Sequence, residues 1–315
     1  MLLVTGGLGF IGSNFVHSYL AGKLPMSGNG GIAILDKLTY AANKQNLLGL
    51  EFDSRLSLVI GDVCDAELVE DLVKKSTGII HFAAESHVDR SILTPKSFVD
   101  TNILGTFNLL ESATRHKKRI VYVSTDEVYG SIKIGEANED SNLCPSSPYS
   151  ASKAAGDLLA LSYFRTFNTD VIITRCVNNF GIRQNIEKFI PTVINSIYQG
   201  IKIPVYGSGT NIRNWIDVDD HCTGLALSYE NGESGEVYNF GTEEYLSNIE
   251  VCRLFLNYAG KSLDQIEFVE DRKGHDFRYA VDSSKSRVEL NWTPRFRLSE
   301  RVSEIFEWYA GNKFS

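Results

Sequence analysis

Apolar positions along the first 176 residues follow two alternating rhythms. Short runs dense in Val, Ile and Leu occur at Leu2–Thr5, Ile32–Leu35, Leu56–Ile60, Gly78–Phe82, Arg119–Ser124 and Val171–Arg175. They have the length of strands and are too short for helices. Between most of them apolar residues recur at helical spacing, as at Ile103, Phe107 and Leu110 or at Ala154, Leu158 and Leu161. Such alternation predicts an α/β fold, a doubly wound parallel sheet with helices on both faces. Gly22–Gly31 and Ser131–Pro148 read as loops. Past Cys176 the alternation weakens into Gly-, Pro- and Asn-rich turns. The expected division is a first domain over 1–176, to which later segments return, and a smaller C-terminal lobe over 177–315. Ligands of such a sheet bind beyond the carboxyl ends of its strands, so the residues after each run carry the interest.

Composition narrows the class. At roughly 150 residues per domain, 315 residues make about two units. A chain 43% apolar and 22% charged, with 7 Pro, is neither disordered, nor collagen-like, nor a disulfide scaffold. The balance of 31 basic against 39 acidic residues, net −8, argues against a broad surface for nucleic acid or anionic lipid. No apolar run reaches the 18 or so residues of a membrane span. The opening Met1-Leu2-Leu3-Val4-Thr5 reads as a strand rather than a signal peptide. Five scattered cysteines with no C-x-x-C spacing suggest a reducing cytoplasm and no metal site.

The first strand runs into Gly6-Gly7-Leu8-Gly9-Phe10-Ile11-Gly12 and then a helical stretch. Glycines at 6, 9 and 12 permit a tight turn and let the backbone approach a pyrophosphate at the helix N-terminus. Alone, such a motif is an ordinary βα turn. Here Asp36 ends the second strand, 24 residues past Gly12, where a carboxylate binds adenosine-ribose hydroxyls. The combination predicts a Rossmann-type nucleotide site. The Asp36 charge would repel a 2′-phosphate, which favours NAD over NADP, although the adjacent Lys37 weakens that preference.

After the Arg119–Ser124 strand comes Thr125-Asp126-Glu127-Val128-Tyr129-Gly130, and later Tyr149-Ser150-Ala151-Ser152-Lys153 opens a helix. Tyr149 and Lys153, four apart, share one helical face. An ammonium beside a phenol favours phenolate and makes Tyr149 a candidate general base. A Tyr–Lys pair at this spacing is common on surfaces and gains meaning only beside the glycine turn and the strand-end Ser and Thr. Together these residues resemble the extended short-chain dehydrogenase/reductase family. Within it, the Thr125–Gly130 segment is similar to the signature of dTDP-glucose 4,6-dehydratases.

The resemblance spans nearly the whole chain, through Asp36–Ala41, Asp62-Val63, Phe82–Arg90, Thr101-Asn102, Pro145–Tyr149, Asn178–Gly181, Glu187–Pro191, Pro204–Gly207, Arg213, Asn248, Asp271-Arg272 and Gly274–Asp276. It implies an NAD site formed by Gly6, Gly9, Phe10, Ile11, Gly12, Asp36, Lys37, Leu38, Thr39, Asp62, Val63, Phe82, Ala83, Ala84, Ser86, Thr101, Tyr149, Lys153 and Asn179. It implies a nucleotide-diphosphate glucose pocket formed by Ser86, Thr125, Asn178, Lys188, Phe189, Pro204, Val205, Tyr206, Arg213, Asn248, Arg272 and His275. Basic residues there suit phosphate, and arginine can bind its oxygens bidentately.

The catalytic set implied is Thr125, Asp126, Glu127, Tyr149 and Lys153. Tyr149, helped by Thr125 and Lys153, would take the C4 hydroxyl proton as hydride passes to NAD. The 4-ketone acidifies C5–H, which Glu127 removes while protonated Asp126 assists loss of the C6 hydroxyl as water; the hydride then returns to C6. A nucleotide-sugar 4-epimerase would use the same Tyr, Lys and Thr without the carboxyl pair, a UDP-glucuronate decarboxylase would leave Asp126 idle, and a silent NAD-binding regulator would be expected to have lost Tyr149 or Lys153. The chain departs from the family pattern at Ile182-Arg183-Gln184, Asn214, Asp217 and Lys273. Those at Ile182–Gln184 and Lys273 are expected at the nucleotide end of the pocket and leave UDP-glucose open beside dTDP-glucose. The resemblance also implies a homodimer through helices near 96–115 and 149–167.

Overall fold

A computed structural model describes residues 1–28 and 30–311. Its strands are β1 (Leu2–Thr5), β2 (Ile32–Asp36), β3 (Leu56–Ile60), β4 (Gly78–His81), β5 (Arg119–Thr125) and β6 (Val171–Cys176). The second half adds β7 (Asn178–Phe180), β8 (Ile203–Tyr206), β9 (Ile212–Asp217), β10 (Val237–Phe240), β11 (Tyr245–Ser247) and β12 (Ile266–Val269). Seven of these form one parallel sheet in the order β10-β6-β5-β4-β1-β2-β3. All six expected strands are in it, each within one residue of its expected end. Of the expected Gly22–Gly31 loop, residue 29 lies outside the described residues, and the rest forms no helix or strand before β2.

The sheet is covered on both faces, and β1 shows it. Leu2 and Val4 belong to one apolar core with Phe15, Ile34 and Leu225, whereas Leu3 joins a second with Val69, Leu109 and Tyr163. Alternate residues of a strand point to opposite faces, so a doubly covered strand reads as a continuous apolar run. A third core, around Phe180, Ile194, Trp215, Phe255 and Ile305, lies in the C-terminal lobe. There β11-β9-β7 and β12-β8 form two small sheets. Strand β10 lies outside that lobe's sheets and pairs with β6 in the main sheet.

Two helices bury faces other than those expected. The stretch Asp100–Gly105 is a wide π-helical turn preceding Thr106–His116. Its extra residue rotates the register, burying Asn102 and leaving Phe107 40% exposed. The helix Pro148–Phe167 buries Lys153, Gly156, Asp157 and Ala160, whereas Leu158 is 58% exposed. Its inner face is polar because it delivers side chains to the sheet's carboxyl edge. No helix among the described residues is long and apolar enough to cross a membrane.

Candidate active site

The turn after β1 is built by the absence of side chains. Gly6 has φ +71°, and a Cβ there would lie 2.6 Å from the Ala83 amide nitrogen. A Cβ on Gly12 would run into the Gly6 carbonyl. The helix Phe10–Leu20 starts at Gly9 with no side-chain cap and no acidic residue in its first turn, so its first N–H groups and the positive end of its dipole face the cradle. Asp36, at the end of β2, is buried and accepts bonds from the Leu8 amide at 3.0 Å and the Leu38 amide at 2.9 Å. Burial raises its pKa, and these two amides oppose the rise. Lys37 is drawn to Asp62 at 2.5 Å. This cradle fits the diphosphate and ribose of a dinucleotide.

A buried hydrogen-bond chain links the cradle to the Tyr149 helix. Thr5 Oγ1 meets His81 Nδ1 at 2.7 Å, and His81 Nε2 meets Thr106 Oγ1 at 3.0 Å. The Thr106 hydroxyl donates to the Asn102 carbonyl at 2.8 Å. The Asn102 side chain then brackets both the amide and the carbonyl of Glu85 and donates to Ser152 Oγ at 2.8 Å, and that hydroxyl donates to the Tyr149 carbonyl at 2.7 Å. Burial holds His81 down to about 3, so the linker is neutral.

At the end of β5 the chain turns through Asp126–Tyr129, capped by Thr125, whose hydroxyl accepts the Glu127 amide at 3.3 Å. The same hydroxyl donates to Asp126 Oδ1 at 3.2 Å. Asp126 Oδ2 is buried with no hydrogen-bond partner among the described residues. Burial, followed by the Glu127 charge, pushes the Asp126 carboxyl up to about 8. Burial raises Glu127 too, opposed by Arg272, Arg213 and Lys188. Tyr279 Oη donates to Asp276 Oδ2 at 2.9 Å, with Glu127 Oε2 at 3.4 Å as the minor acceptor of the same proton. Burial pushes the Tyr149 phenol well above its usual range, the Glu127 charge adds to this, and the Thr125 hydroxyl opposes it. Lys153 donates to the Val123 carbonyl at 2.7 Å and sits 4.1 Å from the Tyr122 ring centre. Burial lowers its ammonium to about 8.

The C-terminal lobe brings cations to this turn. Buried Arg213 donates to the Asp276 carbonyl at 2.9 Å and lies 4.4 Å over the Tyr279 ring. Lys188 donates to the Ser86 carbonyl at 2.9 Å. Arg272 Nη1 is 3.9 Å from Asp89, and its Nε is buried without a hydrogen-bond partner among the described residues. His275 pairs with Asp271 at 2.6 Å and packs edge-on to Tyr206. Asn248 opens the helix Asn248–Tyr258. Arg272, Arg213 and Lys188 thus act on Glu127, and Arg213 acts on Asp126 as well.

The candidates differ in what they can offer a ligand. In β8, Pro204 and Tyr206 are exposed while Val205 is buried in the lobe core, leaving it only its backbone. Val63 also lies in a core, beside Gly105. The Asn179 side chain is spent internally, on the Val177 carbonyl, Cys176 Sγ and His221 Nδ1. Phe189 starts the helix Phe189–Gln199. Tyr279 escaped the sequence reading: it lies 152 residues from Glu127, and no spacing marks it.

The family model described as GDP-mannose 4,6 dehydratase matches residues 3–305. The dTDP-glucose 4,6-dehydratase of Streptomyces niveus is 48% identical over 313 residues, covering 99% of this chain and 93% of that protein. The chain belongs to the dTDP-glucose 4,6-dehydratase family. A solved dTDP-glucose 4,6-dehydratase from Streptomyces venezuelae, with NAD bound, superimposes with a TM-score of 0.97 at 45% identity, covering 99% of this chain and 97% of that one. The UDP-glucose 4-epimerase of Thermus thermophilus, also complexed with NAD, shares the architecture at 27% identity, with a TM-score of 0.88 and coverage of 98% and 99%.

Of the departures from the dehydratase family pattern, Ile182 and Arg183 pack against the cradle helix. Gly181 turns the chain with φ +145°, and Arg183, at φ +72°, donates to Asn14 Oδ1 at 2.8 Å. Asn14 in turn donates to the Ile182 carbonyl at 3.0 Å. Asp217 is buried, caps the helix Val218–Asn231 and faces Arg301 at 3.7 Å.

Proposed function

We propose that the protein is an NAD-dependent lyase that converts dTDP-glucose to dTDP-4-keto-6-deoxyglucose and water. The observation that carries this reading is the carboxyl pair: Asp126 shifted towards the neutral acid at pH 7, and Glu127 beside it under three cationic groups. An acid and a base at adjacent positions are what removal of water across C5 and C6 needs, and a 4-epimerase has no step for them. The glycine cradle, Asp36, Lys37, Leu38, Thr39, Asp62 and the Phe82–Ala84 backbone would hold NAD.

When bound, NAD supplies a hydride acceptor and donor beside the sugar. Tyr149 takes the C4 hydroxyl proton, with the Thr125 hydroxyl and the Lys153 ammonium favouring its phenolate form. The ketone formed at C4 makes C5–H acidic enough for Glu127 to remove. Asp126 then delivers its proton to the C6 hydroxyl, which leaves as water; Glu127 hands a solvent-exchanged proton back to C5 as the hydride held by the bound cofactor returns to C6. Arg213, Arg272 and Lys188 neutralise the diphosphate, with Asn178, Asn248 and His275 lining the same pocket.

The exposed apolar residues Val99, Leu104, Phe107, Leu158 and Phe167 support a homodimer through the helices that carry them. A cytoplasmic location fits five cysteines that are all free.

The test is to incubate the protein with NAD and dTDP-glucose in deuterated water and analyse the product. A 4-keto-6-deoxy sugar with deuterium at C5 is expected. A dTDP-galactose product without deuterium would replace this reading with a 4-epimerase. Parallel kcat/KM values with UDP-glucose decide the base.

A further inference from the structure

Lys153 has a companion one turn further along the helix Pro148–Phe167. Tyr149, Lys153 and Asp157 stand at i, i+4 and i+8, on one face. Asp157 is fully buried, and its Oδ2 accepts Arg175 Nε of β6 at 2.7 Å. Arg175 is itself buried and donates to Tyr129 Oη at 2.7 Å and to the Glu139 carbonyl at 3.3 Å. Tyr129 Oη passes the bond on to Asn239 of β10 at 2.9 Å. Asp157 Oδ1 is buried with no hydrogen-bond partner among the described residues. An ion pair this deep is a weak device for stability, so its place behind Lys153 asks for another explanation.

The direct contacts of Lys153 cannot hold its charge alone. They are one carbonyl oxygen, of Val123, and the face of the Tyr122 ring. That ring is seated by Gly156, where a side chain would strike the Tyr122 hydroxyl. The other ionisable groups near the ammonium are His81 on β4, Tyr122 on β5, Arg175 and Cys176 on β6, and Tyr149 on its own helix. None of these is a carboxylate. Asp157 is one: burial raises its pKa, the Arg175 guanidinium bonded to it opposes the rise, and it is the largest charge acting on Lys153.

We propose that Asp157 is a positioning residue for the Tyr149–Lys153 pair: its carboxylate, clamped by Arg175, is the buried counter-charge that keeps Lys153 an ammonium over the working pH range. This deepens the proposed function, since the charged Lys153 is what favours the Tyr149 phenolate.

The test reads Lys153 directly. Protein carrying 13Cε-lysine is titrated by NMR without cofactor or substrate, and the Lys153 resonance is assigned by its loss in Lys153→Met. Three variants are compared: Asp157→Asn, Asp157→Glu, and Asp157→Asn/Arg175→Gln, which strands no guanidinium. In both Asn variants the Lys153 midpoint should fall by about one pH unit, a tenfold change in its ionisation equilibrium. Asp157→Glu should keep it near the parent value. Turnover should lose its activity at a correspondingly lower pH as pH rises, with kcat reduced, KM unchanged and the rate recovered on acidification. The double variant should regain the melting temperature lost by Asp157→Asn without regaining the midpoint. If the double variant restores both, or if the midpoint never moves, Asp157 is only the counterion of Arg175 and the proposal fails. Because the NMR midpoint requires no substrate, it stands or falls separately from the dehydratase reading.

Discussion

The two carboxyl groups of the Asp126–Tyr129 turn differ in surroundings. Asp126 is buried, with one oxygen on the Thr125 hydroxyl and the other without a partner among the described residues, while Glu127 is partly exposed and meets Tyr279 and the cations of the C-terminal lobe. With its pKa pushed up to about 8, Asp126 is protonated below that pH and ionised above it. Its capacity to donate is therefore present at neutral pH and lost as pH rises through about 8. Asp126→Asn and Glu127→Gln should each cut water loss by about 10²–10⁴, the usual worth of one positioned acid or base. Both should leave nucleotide binding intact, measured by calorimetry. Only Glu127→Gln should strongly slow exchange of C5–H with deuterated solvent. If the double variant loses water at the parental rate, the pair plays no part in the chemistry. Asp36 invites a second residue-level test. Its carboxylate braces the Leu8 and Leu38 amides as well as facing the cofactor cradle. Asp36→Ala should weaken NAD and NADP alike through the loosened turn, and NAD by several-fold more through the lost ribose contact. Equal losses in fluorescence titrations would remove the ribose role.

At the scale of elements, the main sheet was legible because its inner strands are covered twice, and the partly exposed edge strand β3 is largely apolar as well. Six strands read as plain apolar runs, and the glycine turn was visible because its geometry forbids side chains at Gly6 and Gly12. The helix faces were not legible. Apolar spacing alone placed Leu158 inside, yet that helix turns Lys153 and Asp157 inward, because polar side chains there have sheet-edge partners that a periodicity count cannot see. The π turn at Asp100–Gly105 leaves no composition signal either, and it is what brings Asn102 to Glu85 and Ser152. The Tyr279 contact to Glu127 and the Arg183 contact to Asn14 depend on long-range closure of the chain, which local pattern does not encode. The displaced apolar side chains have a testable consequence. Leu158→Asp should cost little within a protomer, since the side chain is mostly exposed, yet shift the oligomer to monomer in sedimentation velocity with circular dichroism unchanged. An unaltered sedimentation coefficient would place any dimer contact elsewhere.

Across the whole molecule, the Asp126–Tyr129 turn follows β5 of the main sheet while Arg213, Arg272 and Lys188 lie in the C-terminal lobe, so on the proposed function neither half holds a complete site. The two are also interwoven, because β10 lies against β6 although some sixty residues of the other lobe separate them. Expressed alone, residues 1–176 should therefore show an unpaired edge along the buried strand β6 and collect as aggregate in ultracentrifugation. Residues 1–245, which carry β10, should be markedly more soluble, and equal solubility would deny β10 that role. The same interweaving sets an order of events on the ribosome. At about 5–20 residues per second, strand β6 emerges several seconds before the partner that covers its edge. For that interval the nascent chain carries an open template for strand pairing within its own polysome, next to other copies at the same stage. Protection of that edge by a chaperone, or rapid synthesis through residues 177–240, is thus a requirement of this topology, and slowing translation within that stretch should lower the yield of native enzyme without changing a single residue of it.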